Sequence, residues 1–124
     1  MINQAHHGDC LVLMQSIPDA SVDLILCDLP YGTTNCKWDV VIPFDLLWTQ
    51  YNRVIKPNSA IVLFGTEPFS SHLRVSNLNM YRYDWYWQKD KGANFLFGNK
   101  QPLKTIETIS VFYKNQPTYN PQKI

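Results

Sequence analysis

No run of apolar residues in this chain is long enough to span a bilayer, and its first residues lack a basic-then-apolar leader pattern. A cytoplasmic protein without a membrane anchor is expected. Cysteine is scarce: Cys10, Cys27 and Cys36 are odd in number and form no Cys-x-x-Cys pair, so they read as reduced thiols. His6 and His7 stand near Cys10, but no fourth ligand has a workable spacing, and no metal site is expected. Net charge is only +1, which by itself says nothing for nucleic acid. Repeats and low-complexity segments are absent as well.

What is present is a 124-residue chain, 45% hydrophobic and 17% charged, the make-up of one small globular domain. The charge is unevenly spread. Residues 1–52 hold six acids against Lys37, a balance of −5, whereas residues 53–124 hold ten Lys or Arg against four acids, a balance of +6. Such asymmetry hints at nucleic-acid contact and is equally the mark of ordinary solvated lysines.

The residues that organise the rest are Asp28-Leu29-Pro30-Tyr31-Gly32. They follow Val22 to Cys27, an apolar run of strand length suited to a buried parallel sheet. Open α/β sheets place ligands outside the carboxyl ends of their strands, which is where Asp28 falls. Pro30 lacks an N–H and biases Leu29 toward extended angles, so the Leu29 carbonyl is expected outside the ladder. The Asp28 carboxylate and that carbonyl would then face one space beside the Tyr31 ring, an arrangement suited to gripping an exocyclic amine. The plain alternative is a strand end, a turn and a surface tyrosine.

Along the chain, Ile2–His7 reads as a short strand and Cys10–Ile17 as a short helix with Asp9 as its N-cap. Asp9 could also accept hydrogen bonds from a sugar hydroxyl or an adenine amine. Residues 32–39 form a polar loop around Trp38. Pro43 opens a helix with Phe44, Leu47, Trp48, Tyr51 and Ile55 on one stripe. Ala60–Gly65 is a second buried strand, and Thr66-Glu67-Pro68 opens a helix reaching about Asn77, giving the βαβα alternation of a parallel sheet. Tyr81, Tyr83, Trp85 and Trp87 share one face of a third strand by period two, read as core in preference to a base-stacking platform. Lys89–Lys104 reads as a mobile functional loop of balance +3, and Ile106–Lys114 as a fourth strand.

These blocks together resemble the N-terminal part of the permuted DNA amino-methyltransferases of bacteria and phages, whose catalytic motif precedes the cofactor motif. The matching stretches are Gly8-Asp9-Cys10, Ser21 to Gly32, Arg53 to Pro57, Phe64 to Phe69 and Glu107-Thr108-Ile109, with Tyr119 to Gln122 similar to the start of a target-recognition region. Leu29 stands where the family's Asp-Pro-Pro-Tyr motif has a proline, a change that keeps the backbone carbonyl. The resemblance implies a partial Rossmann-like methyltransferase sheet, with parallel βαβα units plus a C-terminal antiparallel strand, as one truncated domain over residues 1–124.

It further implies S-adenosylmethionine-dependent methylation of adenine N6 in DNA, with Asp28, Leu29, Pro30 and Tyr31 as the flipped-base pocket. Asp9, Cys10 and Asp28 would bind the cofactor. Separately, the lysines of the segment 89–104 place Lys91, Lys100 and Lys104 as expected DNA contacts. Aspartate at the motif's first position favours adenine over cytosine. The family's glycine-rich Phe-x-Gly-x-Gly turn does not occur in these residues. An inactive fragment, or half of a split enzyme completed by self-association or a second polypeptide, is the alternative expectation.

Overall fold

The computed structural model describes residues 3–93 and 95–124. Asp9 caps a short helix α1 (Cys10–Leu13): its Oδ1 accepts the Leu11 N–H at 2.8 Å and the Val12 N–H at 3.4 Å. A 3-10 turn, Met14–Ser16, continues it. Then follow β1 (Val22–Cys27), α2 (Phe44–Val54), β2 (Ile55–Gly65), α3 (Phe69–Ser76), β3 (Tyr81–Ala93), a second 3-10 turn (Phe95–Phe97) and β4 (Lys104–Phe112). The expected strand over Ile2–His7 does not form at residues 3–7, and Ile2 lies outside the described residues.

The four strands make one mixed sheet in the order β1-β2-β4-β3. β1 and β2 are parallel, joined through α2, and β4 runs antiparallel to both of its neighbours. This is the expected partial Rossmann-like α/β sheet. No strand covers the outer edge of β1 among the described residues.

Periodicity decides which face is covered. The α2 stripe of Leu47, Trp48 and Tyr51 packs on Ile61, Leu63 and Phe112 of the sheet, joined by Phe69 and Leu73 of α3. Trp48 donates its indole N–H to Ser76 Oγ at 2.8 Å, tying α2 to α3. Arg53 at the end of α2 donates to the Met14 and Ile17 carbonyls at 2.7 and 2.8 Å and pairs with Asp19 at 2.6 Å. That single guanidinium anchors the segment carrying Asp9 and Cys10.

The other face carries Leu24, Leu26, Tyr83, Trp85 and Trp87, and all five are exposed. Here the expectation of an aromatic core fails. The register between β3 and β4 shifts between Tyr81 and Tyr83, so Tyr81 packs on Phe112 on the helix side. The following three aromatics turn to the open face, where Tyr83 meets Trp85 and Trp87 meets Phe64. A bulge of one residue inverts the facing of everything beyond it. Ile25, by contrast, points to the helix side and is half-buried against the core.

A further correction concerns the segment 89–104. β3 runs on to Ala93 and Lys104 already belongs to β4, so the long loop shrinks to the tip of a hairpin. Thr108 faces both Gly65, where β2 ends, and Tyr86. From Tyr86 to Ala93 the hairpin therefore projects about 20 Å beyond the sheet, at ~3.3 Å per residue.

Candidate active site at the carboxyl end of β1

Strand pairing of β1 ends at Cys27, and the chain then turns through Asp28 to Tyr31. The Leu29 side chain is buried in the core, which pins the turn from below. No described residue donates to the Leu29 carbonyl. Asp28 is exposed, and Tyr31 donates its hydroxyl to Asp28 Oδ1 at 2.6 Å. Burial, then that bond to a carboxylate, pushes the Tyr31 phenol far above its ordinary value, so it stays a donor. Asp28 Oδ2 accepts from no described residue.

Tyr31 is held from behind by Phe69, the first residue of α3, with ring centroids 5.0 Å apart and planes tilted by 31°. Phe44 supports Phe69 in turn at 5.8 Å. Gly65 lets the start of α3 pack closely on the end of β2. A Cβ there would stand 2.6 Å from Ser70 Oγ, and Ser70 and Thr108 share a hydrogen bond at 2.8 Å that binds α3 to β4.

The front of the site is a cleft of about 410 Å3 whose lining includes Asp28, Leu29, Pro30, Tyr31 and Trp38. Its far wall is the loop 32–39, and Asp39 shapes it. One Asp39 oxygen accepts the Gly32 N–H at 2.9 Å; the other accepts the Thr34 N–H and hydroxyl at 2.7 and 2.6 Å. Gly32 has φ +70°, and a Cβ there would stand 2.9 Å from Val41, so both shape and space require glycine. The Thr34 hydroxyl first, and the backbone donors after it, hold the Asp39 carboxyl at about 2 rather than 3.8.

That depression sets a pH dependence. A carboxyl lowered on folding adds stability above its ordinary value and loses it as pH falls through the folded one. The Gly32 and Thr34 amides should therefore stay protected from neutral pH down to about 4 and exchange freely as pH nears 2. Asp39→Asn should weaken their protection already at pH 7. Equal protection in parent and variant would remove Asp39 from this role.

The remaining expected site residues divide. Asp9 keeps one oxygen outside its cap, and Cys10 stands near enough to Cys27 to affect it. Burial mainly, and then the charges of Asp28 and Cys10, push the Cys27 thiol up against a lowering bond from Tyr51. Asp9, Cys10 and Asp28 thus gather at one end of β1. Lys91, Lys100 and Lys104 are all exposed on the hairpin, at the same end of the sheet and away from the cleft lining. Among the described residues no carboxylate pairs with any of the three, unlike Lys89, which bonds Glu107 at 2.9 Å. Asp39 and Phe69 were not marked by the sequence as parts of this site. A carboxylate several residues past a Gly-Thr-Thr turn was the available signal for the first.

No family model matches the chain. A curated mouse protein, alpha-1,6-mannosylglycoprotein 6-beta-N-acetylglucosaminyltransferase B, is 32% identical over 74 residues, covering 48% of this chain but 9% of that enzyme. So small a share of an enzyme carries no inference about its activity.

Solved structures are more informative. The PvuII DNA methyltransferase (cytosine-N4-specific) superposes with TM-score 0.69 at 17% identity over 90% of this chain and 49% of its own. The M1.HpyAVI–SAM complex gives 0.66 at 17% over 96% and 59%. TTHA0409 of Thermus thermophilus, complexed with S-adenosyl-L-methionine, gives 0.62 at 20% over 94% and 57%. The chain spans about half the length of these structures. At such identities the likeness establishes architecture, and that architecture is the Rossmann-like fold of DNA methyltransferases.

Proposed function

We propose that the chain is the catalytic-motif part of an S-adenosylmethionine-dependent DNA methyltransferase acting on adenine N6, with residues 1–124 forming one partial domain. The observation that carries this reading is the Asp28–Tyr31 turn: a hydrogen-bonded carboxylate with one oxygen to spare, an unbonded Leu29 carbonyl and a braced aromatic ring beside one cleft. The fold it shares with DNA methyltransferases adds weight.

An aromatic amine is a poor nucleophile because its lone pair is delocalised into the ring. A base acted on at such a nitrogen must also leave the duplex stack. Here Tyr31 would lie against the extruded adenine, while Asp28 Oδ2 and the Leu29 carbonyl accept the two N6 hydrogens. Acceptors set in place beforehand localise the lone pair and stabilise the positive charge that grows on nitrogen. The Tyr31 hydroxyl holds the carboxylate in the required orientation.

Asp9, Cys10 and Asp28 would hold the cofactor, and they fit one wall of such a site; the described residues offer no opposing strand beyond β1. What S-adenosylmethionine contributes when bound is an electrophilic methyl group. On this reading the free β1 edge is where a further strand adds, from a second polypeptide or a second copy of the chain. An inactive remnant that binds nucleic acid weakly is the competing reading, and the uncovered open face supports it.

Titration with deoxyadenosine, followed by nuclear magnetic resonance, tests the pocket. Signals of Tyr31, Trp38 and the Leu29 amide should move, and they should stay still in Asp28→Ala. Equal movement with deoxycytidine would shift the target to cytosine N4. No movement with either nucleoside would overturn the base-pocket reading.

DNA contact is assigned to the projecting hairpin, through Lys91, Lys100 and Lys104. Replacing all three with alanine should weaken binding to duplex DNA and flatten its salt dependence by about 0.9 for each phosphate left without its cation. An unchanged slope would detach the hairpin from DNA.

A further inference from the structure

A second cavity lies at the other end of the sheet from Asp28. It encloses about 690 Å3, within the range of small-ligand pockets. β1 spans six residues, so this cavity and the Asp28 cleft stand about 20 Å apart, at ~3.3 Å per residue. The elements that meet there are the end of α2, the irregular start of β2, the turn between α3 and β3 with the start of β3, and the second residue after β4.

Its chemistry is one-sided. Arg53, Lys56, Arg82 and Lys114 all line it, and no carboxylate does. Arg53 and Lys56 are neutralised from outside, by Asp19 and Asp23, each at 2.6 Å. Arg82 is different: its donors go to the Tyr113 and Lys114 carbonyls at 3.0 and 3.2 Å and its guanidinium lies 5.1 Å from the centre of the Tyr113 ring, so it is held in place without a carboxylate among the described residues. Lys114 has no carboxylate partner among the described residues. Two cations without a carboxylate partner among the described residues therefore line the cavity together.

The remainder of the lining pairs amides with an apolar floor. Ile55, Pro57 and Met80 give the floor, while Asn52, Asn77 and Asn79 line it from two elements. Asn77 Nδ2 is shielded from solvent and has no acceptor among the described residues. Shielded donors in native proteins nearly always have a partner, so this one asks for an oxygen from outside the chain.

We propose that this cavity is a binding site for a phosphorylated small molecule of nucleotide size. Arg82 and Lys114 meet the phosphate, Asn77 donates to it or to an attached oxygen, and the apolar floor takes a flat ring. Arg82 is held by its two carbonyl bonds, and Lys114 brings a second positive charge to the same lining. Its position, on the far end of the sheet from both the Asp28 cleft and the hairpin, separates this ligand from any substrate held there. The site stands whether or not the reading of the Asp28 cleft does.

Calorimetric titration of the chain with AMP, inorganic phosphate and adenosine tests the proposal. AMP should bind saturably, phosphate more weakly and adenosine more weakly still. Lys114→Glu, whose side chain carries none of the observed contacts, should weaken AMP about tenfold or more, equivalent to about 1.4 kcal/mol. Its melting temperature should match the parent's. Asn77→Leu should weaken AMP too, and Asp28→Ala should leave it unchanged. AMP binding that survives Lys114→Glu, or that is lost in Asp28→Ala, would overturn the site. So would the absence of saturation at millimolar AMP. A single-stranded oligonucleotide that binds more tightly than AMP, and is weakened by Lys114→Glu, would reassign the cavity to a nucleic-acid backbone.

Discussion

Asp28→Ala should lower methyl transfer to DNA by about 100- to 1000-fold in any assembly in which this chain is active, the cost of losing one preorganised acceptor for developing charge. The fold should survive, because Asp28 is exposed and its one described bond is to Tyr31. Tyr31→Phe separates two contributions. It keeps the ring against Phe69 but removes the hydroxyl that orients the carboxylate. A hydrogen bond to a charged group is worth about 1.5–3 kcal/mol, so its loss should cost less than the loss of Asp28 itself or at most match it. The decisive pattern is a fall in kcat with little change in KM for Asp28→Ala, since the bonds in question strengthen only as charge grows. Activity within tenfold of the parent would remove Asp28 from the chemistry, whatever its position.

How much of this was legible in advance depends on whether the determinant is local. The Asp28 turn was legible because a strand-length apolar run, a carboxylate and a proline are adjacent in sequence. α2 was legible because Leu47, Trp48 and Tyr51 fall at helical spacing and all three are buried. The bulge at the start of β3 was not, because no residue near Arg82 marks it. Strand alternation counted from Tyr81 then places Trp85 and Trp87 on the wrong face. Burial of that face also depends on what covers it, and the described residues offer no helix there. The hairpin failed for a related reason. Lysines and glycines read as a loop, yet Gln88 pairs with Ile106 and Ala93 with Lys104. In the site, Phe69 lies 38 positions beyond Tyr31 and Asp39 closes its loop through three hydrogen bonds. Neither relation has a period or a spacing rule to announce it.

The 124-residue chain by itself should sediment as dimers or larger at micromolar concentration and should transfer no labelled methyl group to DNA. The reasoning starts at β1, which sits at the sheet's edge with one side of its backbone unpaired. An exposed edge strand is a template for another strand. Beside it lie Leu24 and Leu26, 54% and 62% exposed, and across the same face Trp85 and Trp87, each 55% exposed. Covering roughly 200 Å2 of such surface yields about 5 kcal/mol at ~25 cal/mol per Å2. Micromolar association needs about 8 kcal/mol net of its entropic cost, so the face alone falls short. Backbone pairing along β1 must supply the remainder, and the two together set the expected range. Leu26→Asp should then move the chain toward monomer, because it places a charge at the junction of edge and face. Lys100→Ala, on the hairpin, should not. Silence in methyl transfer follows from the same proposal: Asp9, Cys10 and Asp28 would form one wall of the cofactor site, and the described sheet has no strand beyond β1 to form the other. A monomer that methylates DNA unaided would show that the cofactor is held elsewhere on this chain, and the role given to the β1 edge would fall with it.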